Sequence, residues 1–187
     1  MGIIKFFKEM HAFSKMLKEL PKEAEQRISD NESLTTEELA AIPDNDLFFV
    51  VVDRVESVID DHEELSDGIA ALSGPQRVVF ALNLLEMEVN NGGLCQFFVN
   101  SSRAAAPYVS DGLAAIGAKE HKELFDGFIG KYKINVNDLS SFAIRRMRDF
   151  EKQAKRYPFD EYDDQFYTLP SLQEPLTAYI RQHIDAF

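Results

Sequence analysis

Apolar residues recur at helical spacing along most of this chain. Ile3, Phe6, Met10, Phe13, Leu17 and Leu20 follow a 3-4-3-4-3 rhythm, a heptad seam on one helix face that Pro21 ends. Lys5, Lys8, Lys15 and Lys18 make the rest of that segment basic. Thr35 with Glu38 is a capping-box pattern and predicts a short helix toward Ala41. Pro43-Asp44-Asn45 reads as a turn, with Asp46 as the cap of a helix over 47–65. Leu47 to Val52 is β-branched and aromatic, so a strand competes there. Val55, Val58, Ile59 and Leu65 restore helical spacing and decide for helix.

Ser73-Gly74-Pro75 predicts the next helix start, with proline in the first turn. That helix carries Val78, Val79, Leu82, Leu85 and Val89 and stops at Asn90-Asn91-Gly92-Gly93. A second apolar segment, Leu94 to Val99, follows at once and stops at Asn100-Ser101-Ser102. Helices are expected over 105–116, 119–131, 139–156 and from Asp160 to Thr168, with a break at Tyr157-Pro158. Ser171 with Glu174 reads as another capping box ahead of a last helix to about 184, although Pro175 falls late for a first-turn proline. No hairpin pattern, internal repeat or glycine-rich linker interrupts this series. The expected fold is all-α: a single compact domain of seven to nine helices with an N-terminal amphipathic helix. It divides into a basic helix (1–29), an acidic helical segment (30–67) and a helical domain (68–187), forming one structural unit.

Charge changes this picture. The net charge is -12, and residues 30–67 hold thirteen Asp/Glu against the single cation Arg54. The flanking stretches nearly balance, so this segment accounts for the whole excess. Such a chain is repelled by nucleic acid and anionic lipid and attracted to basic proteins. Apolar residues make up 45% of the chain, enough for a sizeable core. The lone Cys95 excludes an internal disulfide and fits a reducing compartment. No signal peptide is evident, apolar runs are too short to span a bilayer, and Phe6 breaks the myristoylation pattern. A cytoplasmic location is expected.

Asp53, Glu56, Asp60, Glu63 and Asp67 are spaced 3, 4, 3 and 4 apart, with Asp61 and Glu64 alongside. On one continuous helix they form a stripe of roughly 21 Å, about one carboxylate every 5 Å. A DNA strand presents a phosphate about every 3.4 Å along its axis, so the charge densities are comparable. Like charges at these spacings weaken a helix by a few tenths of a kcal/mol per pair. That cost makes a binding role worth weighing against an ordinary solvated face. Glu37, Glu38, Asp44 and Asp46 are candidate helpers.

The polar cluster Glu88, Asn90, Asn91, Gly92, Gly93, Gln96, Asn100, Ser101 and Ser102 has a structural reading. Helix ends leave backbone groups unpaired, Asn and Ser satisfy them, and glycine relaxes the path. Glu88 and Gln96 are placed to join the two stops by hydrogen bonds. The functional alternative, a pocket with Glu88 as a base, lacks a partner acid, a nucleophile and a phosphate-cradling loop. Cys95 sits among Leu94, Phe97 and Phe98 and reads as a buried thiol. His11, His62, His121 and His183 fit no metal motif, and the Asp61-His62-Glu63-Glu64 run reads as a solvated face. No catalytic residue, metal or cofactor is expected. Arg145, Arg146, Arg148, Lys152, Lys155 and Arg156 form a basic cluster read as a solvated or internally paired face.

Three blocks carry a resemblance: Glu88 to Gly93, Gln96 to Ser102, and Ala115-Ile116-Gly117-Ala118. Tyr162-Asp163-Asp164-Gln165-Phe166-Tyr167 and Tyr179-Ile180-Arg181 add weaker matches. Together they resemble the bacterial DNA-mimic protein family over residues 68–187, with Cys95 where an acidic or polar residue is more typical. The resemblance implies an all-α fold, a homodimer, and a non-enzymatic role. In that role an acidic surface occupies the DNA-binding face of a helix-turn-helix regulator. Two other readings stand beside it: a small-molecule or enzymatic module around Glu88, Asn90, Asn91, Gln96 and Asn100, and an immunity-type partner acting through the N-terminal heptad helix.

Overall fold

The computed structural model describes residues 30–187 apart from 32 and 145, and of Met147 only the backbone. The heptad seam from Ile3 to Leu20 and Arg145 of the basic cluster lie outside the described residues. Within them the chain forms nine α-helices and no strand: α1 (Thr36–Ala41), α2 (Asp44–Asp60), α3 (Leu65–Ala71), α4 (Gly74–Val99), α5 (Ala106–Ala115), α6 (Lys119–Tyr132), α7 (Met147–Ala154), α8 (Phe159–Phe166) and α9 (Gln173–Gln182). Short 3-10 turns cover Ser101–Ala105, Ser140–Phe142 and Ile184–Ala186. The all-α expectation holds.

α4 is the axis of the fold. Its apolar residues face all round, as they must in a helix surrounded by others. It packs against α2, α5, α7, α8 and α9. Its start is fixed by Ser73 and Gln76, which close a capping box, with Pro75 in the first turn. Phe97, Phe98, Phe125, Leu82, Leu85 and Leu94 are among the largest fully buried side chains. Around the second half of α4 an aromatic cluster joins Phe98, Phe142, Phe159, Phe128 and Tyr157, with ring centroids 5.0–6.3 Å apart.

Four boundaries differ from the sequence reading, each for a local reason. α2 starts at Asp44 behind Pro43 rather than at an Asp46 cap, and it ends at Asp60 rather than near 65. Acidic residues close its last turn, where the helix dipole is already negative, and no cation offsets them. α3 then folds back so tightly that a Cβ on Gly68 would lie 3.1 Å from the Ile59 Cα. The expected helix over 139–156 is only α7. Asp138 accepts from the Ser140 amide, Phe142 enters the aromatic cluster, and Asp149 accepts from the Arg146 amide to restart the helix. Ser171 and Glu174 form no capping box. α9 begins behind Leu172, whose N–H donates to Glu86 Oε1 of α4 at 2.8 Å. Pro175 thus falls in the first turn, where its missing N–H costs nothing.

The acidic segment is bound into the rest of the body. The Arg181 guanidinium of α9 donates to the carbonyls of Ala40 and Ile42 and pairs with Asp44 at 2.7 Å. Arg54 donates to the carbonyls of Asn31 and Leu34 at 2.6 and 3.0 Å. The single cation of residues 30–67 therefore serves backbone carbonyls.

Candidate functional site

The acidic residues form a corner rather than a straight stripe. Asp53, Glu56 and Asp60 share one face of α2, Asp61 ends that helix, Glu63 and Glu64 occupy the turn, and Asp67 lies in the first turn of α3. The uninterrupted 21 Å line expected on one helix is thereby corrected. Its carboxylates are gathered around the α2–α3 reversal. Glu56, Asp60, Asp61, Glu63, Glu64 and Asp67 are exposed and form no ion pair among the described residues. Asp53 is half-buried and accepts from Asn31 Nδ2 at 2.8 Å. Of the candidate helpers, Glu38 is used in the α1 capping box and Asp44 in the Arg181 pair, while Glu37 and Asp46 stay exposed.

Sequence reasoning passed over Phe49. It stands at 56% exposure on the acidic face of α2, spaced 3 and 4 residues from Asp46 and Asp53. Its place in an unbroken apolar run concealed this. The signal was the 3-4-3-4 spacing of Asp46, Phe49, Asp53, Glu56 and Asp60, which puts one aromatic in line with the acids.

The Glu56 carboxyl is pushed up to about 7 from its ordinary 4.5, by burial first and then by repulsion from Asp53 and Asp60. The repulsive part is the one a mutation at a neighbouring carboxylate can isolate. An acid with a pKa raised by folding stabilises the fold below its unfolded value and loses that contribution as pH rises through its folded value. For Glu56 the window runs from 4.5 to about 7. Asp60→Asn is expected to move the Glu56 midpoint downward, read from its side-chain carboxyl signal in an NMR titration. An unmoved midpoint would show that the two carboxylates do not interact.

The polar cluster is a packed junction. Glu88, 8% exposed, accepts from Gln96 Nε2 at 2.6 Å, Asn100 Nδ2 at 3.0 Å and Ser102 Oγ at 2.7 Å. Asn90, Asn91, Gly92 and Ser101 are exposed. Between the two stops α4 is kinked, with non-helical backbone at Gly92 and at Gly93 (φ 82°, ψ 173°). The kink deprives Val89 O and Leu94 N of their helical partners, and α8 supplies both. Tyr167 Oη donates to Val89 O at 2.8 Å, and Leu94 N donates to Asp163 Oδ1 at 2.8 Å. A carboxylate at the start of a helical segment also suits its dipole. Asp163 is pushed up to about 6, by burial first and by Asp160 and Asp164 after the opposing Leu94 bond. The sequence reading noted the Tyr162–Tyr167 block without a role for it. Asp163 and Tyr167, four apart on one helix face, are the counterpart of the Asn-Asn-Gly-Gly break.

The Glu88 carboxylate is occupied by three donors. Burial, with Asp163, pushes the Cys95 thiol up to about 12, far from a reactive thiolate. Among the described residues no three His, Cys, Asp or Glu side chains converge as metal ligands. His62, in the turn after α2, has its Nδ1 3.0 Å from Val58 O of that helix. Among the same residues no helix is long and apolar enough to cross a membrane. Arg146, Arg148, Lys152, Lys155 and Arg156 are exposed; Arg156 lies over the Phe142 and Tyr157 rings.

No curated protein and no solved structure shows a match to this chain. A family model does: that of the DMP19-like proteins matches residues 70–183, more than half of the chain. The matched region contains the kinked α4, the Glu88 junction and the Asp163–Tyr167 brace, and with them the chain belongs to the DMP19-like family of DNA-mimic proteins.

Proposed function

We propose that this protein is a DNA mimic: it binds a basic DNA-binding protein, of the helix-turn-helix regulator kind, through the corner between α2 and α3. The observation that carries this reading is the unneutralised corner. Six carboxylates, Glu56, Asp60, Asp61, Glu63, Glu64 and Asp67, are exposed without an ion pair among the described residues, while Arg54 is turned toward backbone carbonyls. The family match supports this reading, and it begins at residue 70, after the corner. What ties the acidic segment to the family fold is the Arg181 fork on Ala40, Ile42 and Asp44, together with the packing of α2 on α4 and α9.

The physics is competition for cations. Lys and Arg side chains that neutralise DNA phosphates neutralise these carboxylates instead, so binding is steered by charge and weakens with salt. Phe49 adds an apolar anchor of the kind that concentrates interface energy. Asp53 is shared with Asn31 and acts mainly as a neighbour of Glu56.

The test is affinity capture from bacterial lysate at low salt, followed by a salt gradient. A parallel arm uses a variant with amides at Glu56, Asp60, Asp61, Glu63, Glu64 and Asp67. A DNA-binding protein held by wild type, released by salt and missing from the variant is the expected result. Equal capture by both forms would reduce the corner to a solvated surface. With the captured partner, affinity is also expected to rise as pH goes from 6 to 8, because Glu56 gains its charge near about 7. Glu56→Gln is expected to flatten that rise in calorimetric titrations. An unchanged pH profile would remove Glu56 from the contact.

A further inference from the structure

A second surface is built where α6 meets α8. The two helices border an open groove of about 560 Å³. Its floor is apolar and aromatic: Leu124, Phe128, Tyr132, Tyr162 and Leu169. Its rim carries Glu120, Glu123 and Glu161 against one ammonium, Lys131. Glu123 also meets Lys119 at 3.7 Å, an exposed pair of little strength. The lining residues of α6 run from Glu120 to Tyr132, about 18 Å of helix. That is about three turns of surface open among the described residues, an elongated trough rather than a cup.

One further observation points to an occupant. Midway along the trough stands Gly127, and among the described residues no atom apart from its own helix backbone lies within 4 Å of where its Cβ would be. A small residue at that point lets a helix backbone approach closely.

We propose that this groove receives a basic amphipathic helix of a partner protein. The helix lays its apolar face on Leu124, Phe128 and Leu169 and places lysine or arginine side chains against Glu120, Glu123 and Glu161. The site shares no residue with the α2–α3 corner and does not depend on the DNA-mimic reading.

The test is isothermal titration calorimetry of the full chain with a synthetic leucine/lysine helix of about four turns. A leucine/glutamate helix serves as the control. Gly127→Leu fills the trough and is expected to lower affinity for the leucine/lysine helix at least tenfold. It should melt no lower than wild type, since the new side chain meets open space and leucine favours helix over glycine. Glu120→Gln with Glu161→Gln is expected to lower affinity comparably. The amide variant of the α2–α3 corner should bind the peptide as wild type does. The proposal is overturned if Gly127→Leu binds like wild type, if only the corner variant loses binding, or if Gly127→Leu alters nothing but the protein's own oligomeric mass.

Discussion

Gly93→Ala is expected to lower stability by about 3 kcal/mol, a fall in melting temperature on the order of 10 °C for a chain of this size. Two costs combine. At φ 82° and ψ 173° the backbone lies in a region that essentially only glycine occupies, worth about 1–3 kcal/mol for any other residue. The added Cβ would also stand 2.1 Å from Asp163 Oδ2, so Asp163 must move and Leu94 N–H loses its acceptor. A lost cap of this kind costs about 1 kcal/mol. Gly117→Ala is the control. Gly117 also has positive φ, 74°, but among the described residues nothing beyond its chain neighbours lies within 4 Å of its Cβ position. Its loss should be the smaller of the two in parallel thermal melts, the difference measuring the α4–α8 brace. Equal losses would mean that Asp163 contributes nothing there.

Glu88→Ala is expected to cost about 4 kcal/mol, read from urea denaturation. The carboxylate satisfies three donors from Gln96, Asn100 and Ser102 inside a packed junction. Each buried donor left unpaired costs about 1–3 kcal/mol, and bonds to a charged acceptor lie at the stronger end. Ser102 retains a weaker bond to Phe97 O at 3.3 Å, so it contributes least. Gln96 suffers most. Its Oε1 already lacks a hydrogen-bond partner among the described residues and faces Gly92, where a Cβ would come within 2.0 Å. Glu88→Gln keeps one acceptor oxygen but turns an amide donor toward other donors, so about 2 kcal/mol is expected. A Glu88→Ala protein within about 0.5 kcal/mol of wild type would show that water already serves these groups.

Most helices were legible in the sequence because their signals are local. Thr35 with Glu38, the Ser73-Gly74-Pro75 start and the Asn-Asn-Gly-Gly break each encode a boundary within a few residues. The end of α2 was not legible, because the apolar spacing runs on to Leu65 while the decisive facts are electrostatic and tertiary. Acidic residues crowd a helix C-terminus, and Gly68 admits a sharp reversal onto Ile59. The continuous stripe failed for that reason: Asp53, Glu56 and Asp60 stay on α2, while Glu63 and Glu64 fall in the turn and Asp67 on α3. The Asp163–Leu94 and Tyr167–Val89 bonds span 69 and 78 residues, a separation that no local pattern reports. The Leu172–Glu86 cap spans 86 and displaced the capping box suggested by Ser171 and Glu174.

The central claim is that the α2–α3 corner takes the place of DNA on a basic protein. Competition tests it most directly. Labelled operator DNA bound to the captured regulator is titrated with wild type and with the six-amide variant, and fluorescence anisotropy follows release at two salt concentrations. The account predicts displacement by wild type, weaker displacement at higher salt, and none by the variant. Displacement by the variant as efficient as by wild type, or DNA that stays bound while the protein joins the complex, would contradict it.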